Sequence, residues 1–131
     1  MTNRELSQLY YLKQEIEMKR RKIHELETIA EDTASKIIGT PHPLGINDKI
    51  GTTAAEIADI KAILSLNVQE YYYQYNRLLR YIETIDDSLV RQMMTYRYID
   101  LMTWNDVADT IGGGNTEDSV KKKVYRFLES S

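Results

Sequence analysis

The 131-residue chain contains no cysteine, which excludes disulfides, thiolate metal sites and cysteine nucleophiles. Its two histidines, His24 and His42, stand far apart without metal-ligand spacing. Proline occurs twice, at 41 and 43, and glycine six times, in two clusters. No run of about 18 apolar residues exists, so no transmembrane span is expected. The opening stretch, MTNRELSQLY, lacks the apolar core of a signal peptide. Excess positive charge is missing too: 17 Lys and Arg face 20 Asp and Glu, a formal net charge of -3. The chain as a whole is therefore not a polycation. No segment alternates polar and apolar residues as a strand would. These absences predict an all-α, cytoplasmic protein.

What is present is mostly helical periodicity. Residues 3–36 hold neither proline nor glycine. Leu9, Ile16, Ile23 and Ala30 recur every seventh position, with Leu12 and Leu26 three further on and Lys19 and Thr33 as polar breaks. That is an a/d seam. Residues 37–52 carry both prolines and three glycines and read as the main loop, since proline removes a donor and disfavours helix before it. A second long helix should start at Thr52 or Thr53 as N-cap, with Glu56 close behind. Its seam is Ile57, Leu64, Tyr71, Leu78 and Ile85, with Ile60 and Tyr81 at d and Asn67 and Gln74 as polar d residues. Two heptad helices of similar length predict an antiparallel hairpin, a coiled-coil dimer, or both, over residues 1–85. The tyrosines clustered from Tyr71 to Tyr81 are expected to pack or to mediate oligomer contact, because tyrosine buries area and keeps a wet hydroxyl.

From residue 86 the pattern shortens. Residues 86–99 read as one helix capped by Asp86 or Asp87, with Leu89, Met93 and Tyr96 on one face. Thr103 caps a helix bearing Trp104, Val107, Ala108 and Ile111 on one side, and Asp106 holds the capping-box position. Gly112 falls where a left-handed C′ residue is wanted. Thr116 caps a last helix whose first turn is acidic (Glu117, Asp118) and whose later turns are basic (Lys121, Lys122, Lys123, Arg126), complementing the dipole. Val120, Val124, Phe127 and Leu128 form its apolar face.

The run IGGGNTEDSV, residues 111–120, is glycine-rich, yet it follows a helix. A phosphate-cradling loop follows a strand and carries a set spacing of glycine and lysine that is absent here. The acid pairs Asp86–Asp87 and Glu117–Asp118 read as helix caps. No enzyme, metal or cofactor is expected. Helix, tight turn, helix remains, with a small residue, Ala108, fifth in the first helix and Gly112 ninth, which is helix-turn-helix grammar.

Arg97 to Glu129, RYIDLMTWNDVADTIGGGNTEDSVKKKVYRFLE, resembles region four of bacterial sigma factors and their phage-encoded relatives. Arg97–Tyr98, Trp104, Val107–Ala108, Gly112 and Ser119–Val120–Lys121 fill that pattern. The turn is about two residues longer, and Gly113 stands where an aliphatic residue plugs the family's core. The longer construction, helical region then this module, is similar to the ArpU/RinA-type late transcription regulators of phages and prophages of Gram-positive bacteria. The resemblance implies double-stranded DNA binding and transcription control inside a bacterial host, with host RNA polymerase as a further partner.

If the module docks as such modules do, Asn115, Thr116, Asp118, Ser119, Lys122 and Lys123 meet base edges. Lys121 and Arg126 hold phosphates, and amides beside Thr103 donate to another. Residues 86–131 carry six basic and eight acidic side chains, so one copy should bind weakly and salt-sensitively. A homodimer through the heptads would raise avidity. Two alternatives stand beside this reading. One is a small-terminase-like packaging protein, which predicts a ring. The other is an adaptor that uses the module to bind RNA polymerase or another protein.

Overall fold

The computed structural model describes the backbone of residues 1–37 and 44–131, and side chains of residues 1–33 and 51–131. It is all-α: among the described residues there is no strand. The order is α1 (Asn3–Leu6), α2 (Gln8–Ile37), α3 (Leu44–Glu83), α4 (Ser88–Met94), a π-helical turn (Thr95–Ile99), α5 (Trp104–Ile111) and α6 (Glu117–Ser130). Among the described residues no helix is long and apolar enough to cross a membrane.

The start of the chain is tied by a capping box. The Thr2 hydroxyl accepts from the Glu5 amide at 3.2 Å, and the Glu5 carboxylate accepts from the Thr2 amide at 3.1 Å. The expected unbroken first helix is interrupted at Ser7. The loop expected over 37–52 is helical over much of its length. Residue 37 ends α2, residues 44–52 belong to α3, and residues 38–43, His42 included, lie outside the described residues. Thr52 and Thr53 therefore sit inside α3 rather than at its cap, with Thr53 buried. Glycine costs a helix only about 1 kcal/mol, so Gly45 and Gly51 weaken this stretch without ending it.

Two compact units emerge. One comprises Met1–Lys13 with Glu70–Ser131, the other Gln14–Gln69. Their division lies elsewhere than the expected boundary at 85/86. In the Gln14–Gln69 unit the seam residues Ile16, Ile23 and Leu26 are buried, as the heptads require. On α3, Ile57, Ile60 and Leu64 are half-buried. Lys61 of α3 reaches Glu27 of α2 at 3.4 Å.

The other unit has one core that joins both ends of the chain. Leu6 and Leu9 cluster with Leu78, Ile82, Met93, Met94, Tyr98, Trp104, Val107, Val120 and Val124. The Tyr98 hydroxyl donates to Asn3 Oδ1 at 2.7 Å, and its burial pushes the phenol well above its ordinary pKa. Asp87 caps α4, accepting from the Leu89 and Val90 amides at 2.9 and 3.3 Å. The expected single helix over 86–99 changes pitch after Met94. The Asp100 amide bonds the Thr95 carbonyl, a π turn. The extra residue lets Met93, Met94, Tyr98 and Ile99 all turn inward, a spacing that a regular helix does not provide.

Candidate nucleic-acid interface

α5 and α6 are positioned by caps and by one shared core. The Thr103 hydroxyl accepts from the Asp106 amide at 3.1 Å. Val107 and Ala108 of α5 are buried in the same cluster as Val120 and Val124 of α6. Each fully buried valine contributes roughly 1.5–3 kcal/mol, and together they orient α6 about its axis. Trp104 is core rather than surface, edge-on to Tyr98 at 6.1 Å and to Tyr125 at 5.9 Å. The Arg97 guanidinium lies 4.9 Å from the Trp104 ring centre and donates to the Met102 carbonyl at 2.9 Å.

Between the helices, Gly112, Gly113 and Gly114 all have positive φ, at 70°, 63° and 79°. Gly112 departs from expectation. Its ψ of -148° is not left-handed helical but lies near a region open to glycine almost alone. The longer turn thus has a backbone cause: three successive residues take conformations that side chains disfavour. A Cβ at Gly113 would meet only Asn115 Nδ2, at 4.0 Å, so no aliphatic plug is called for there.

The turn is then locked to α6. Asn115 Nδ2 donates to the Gly112 carbonyl at 2.8 Å, and Asn115 Oδ1 accepts from the Ser119 hydroxyl at 3.3 Å. Thr116 and Ser119 form a reciprocal box: the Ser119 amide donates to Thr116 Oγ1 at 3.1 Å, and the Thr116 amide to Ser119 Oγ at 2.8 Å.

Seven of the nine expected site residues edge one shallow concavity: Asn115, Thr116, Asp118, Ser119, Lys122, Lys123 and Arg126. Ser119, Lys122, Lys123 and Arg126 are spaced i, i+3, i+4 and i+7, one face of a helix. The other two lie apart. Lys121 sits on a neighbouring face with its ammonium 5.9 Å from the Tyr125 ring centre. Thr103 borders a separate hollow with Tyr10, Tyr11 and Arg97.

Geometry divides the seven. Both polar ends of Asn115 are engaged in the turn, as are the hydroxyls of Thr116 and Ser119. Asp118, Lys122 and Arg126 are exposed, with no side-chain hydrogen bond or ion pair to another described residue. Lys123 reaches Asp87 at 3.9 Å, with both side chains about half exposed at 43% and 51%; such pairs are worth at most about 1 kcal/mol. The approach of Asp87 carries no local sequence signal, because the two residues are joined only through the core. Comparison with family models, characterised proteins and solved structures finds no match to this chain.

Proposed function

We propose that α5, the glycine turn and α6 act as a helix-turn-helix that sets α6 into the major groove of double-stranded DNA, and that the protein is a phage- or prophage-encoded transcription regulator working as a homodimer in a bacterial host. The observation that carries the reading is the sidedness of α6. Val120 and Val124 are wholly buried, while Lys122, Lys123 and Arg126 line one open concavity on the opposite side. An exposed cationic helix face on a rigid support is what phosphate and base-edge contact requires.

Within this reading the engaged side chains take different work from the free ones. Asn115, Thr116 and Ser119 hold the turn, so their amides and hydroxyls orient α6. Lys122, Lys123 and Arg126 supply the contacts, to guanine edges or to phosphates. Asp118 on the same rim disfavours phosphate and accepts from a base amino group. Host RNA polymerase is the proposed second partner.

The adaptor reading has one observation in its favour, the excess of acidic over basic side chains in residues 86–131. Lys122→Ala together with Lys123→Ala separates the two. The DNA reading expects loss of duplex binding with the helical circular dichroism intact. Unchanged duplex binding would remove α6 from the interface.

A further inference from the structure

The Gln14–Gln69 unit buries one apolar stripe and leaves a second uncovered. Met18 and Ile29 on α2 are 61% and 43% exposed, and Ile63 and Leu66 on α3 are 48% and 64% exposed. Met18, Lys22, Glu25, Ile60 and Ile63 line one groove that runs between the helices. On α2, Met18, Lys22, Glu25 and Ile29 follow each other at spacings of four, three and four, which is one continuous helix face.

Helix direction in this unit follows from chain reach. Lys61 lies beside Glu27, and Ile37 and Leu44 end and begin the two helices. The residues between can span at most about 25 Å, whereas a parallel arrangement would separate those helix ends by about 40 Å at 1.5 Å per residue. The helices therefore run antiparallel here, and each step up α2 is a step down α3. With Glu27 beside Lys61, the midpoint of Lys22 and Glu25 lies level with the midpoint of Ile63 and Leu66.

We propose that a second copy of the chain covers this face across a two-fold axis through that level, giving a four-helix bundle. This deepens the dimer proposed above by assigning its surface to the uncovered stripe, while the heptad seam stays within each chain. The order along α2 is apolar, basic, acidic, apolar, and it is its own complement when reversed. The axis sets Lys22 opposite Glu25 of the second copy and Met18 opposite its Ile29. The same axis sets Ile63 opposite Leu66 of the second copy. An isologous interface demands this reciprocity, and both helices meet it at one level. Within the chain, Lys22 and Glu25 are 3.8 Å apart and more than half exposed, so they are loosely paired and can exchange partners.

The test uses the full chain and light scattering. Lys22→Glu and Glu25→Lys are made as separate proteins. Each places like charges at both symmetry-related contacts and should weaken the dimer roughly tenfold or more. Mixed in equal amounts, the two should form a heterodimer. Both variants lack the intrachain pair and mixing cannot mend it, so recovery reports a contact between copies. Ile63→Glu with Leu66→Glu should yield a monomer of unchanged helicity. A native protein that stays monomeric at high micromolar concentration overturns the proposal. So does a dimer that these changes leave intact, or a failure to recover on mixing. The readout is mass and contains no DNA, so its failure leaves the DNA reading standing.

Discussion

Replacing Gly112 by alanine should destabilise the unit built on α4, α5 and α6, and the size of the effect can be worked from the backbone. At φ 70° and ψ -148° an alanine stands near the glycine-only region, at a strain of about 2–3 kcal/mol. No atom lies within 4 Å of the added Cβ, so no clash adds to this. Alanine also restricts the unfolded chain, which returns about 0.7 kcal/mol. The expected net loss is about 1.5–2 kcal/mol, a fall in Tm of roughly 6 °C for a chain of this length. Trp104, the one tryptophan, is buried in this core, so urea unfolding followed by its fluorescence reports on the right unit. Gly113→Ala and Gly114→Ala should cost less, about 0.3–1.3 kcal/mol each, because a positive φ alone costs an L-residue about 1–2 kcal/mol before the same entropy gain. A Gly112→Ala variant as stable as the parent, or less affected than Gly113→Ala, would refute the conformational argument.

Three further outcomes are expected. Gly51→Ala should stabilise α3 by about 1 kcal/mol, because its Cβ meets nothing within 4 Å; thermal melting by circular dichroism checks it. Leu9→Ala should lower stability by about 3 kcal/mol, since Leu9 is wholly buried in the core that holds α5 and α6. Trp104 fluorescence should register that loss, although the residues are remote in sequence. Tyr98→Phe should cost about 1 kcal/mol near neutral pH by removing the bond to Asn3. Burial raises the Tyr98 pKa in the folded state, so its contribution is fully present below about pH 10, the unfolded value, and is lost as pH rises beyond it. The variant's stability should therefore fall less steeply above pH 10 in a denaturation series.

Periodicity made much of the fold legible. Leu9, Leu12, Ile16, Ile23 and Leu26 are buried where the heptad register puts them. Asp87, Thr103 and Thr116 cap the helices that they precede, because cap chemistry is local. The contacts that cross the chain were not legible. Nothing in the local pattern of Asn3 or Leu6 announces Tyr98 or Met93, since their pairing depends on how distant helices meet. Residues 44–52 misled because glycine is read as punctuation, while its helix penalty is small enough for a long helix to absorb. In the candidate interface, the face of α6 followed from spacing alone. The division of labour did not: whether Asn115 is free to read a base depends on the turn carbonyl beside it, and that carbonyl is placed by the three glycines.

The Lys122, Lys123 and Arg126 face of α6 is proposed to bind duplex DNA. The most direct measurement is the affinity of the native chain for a fluorescent random duplex between 50 and 200 mM salt. Three cations per copy predict a fall of about forty-fold for one module and nearly two-thousand-fold for two engaged together. Affinity that is absent at 50 mM salt, or flat across the range, would show that this face does not bind duplex DNA through its cations.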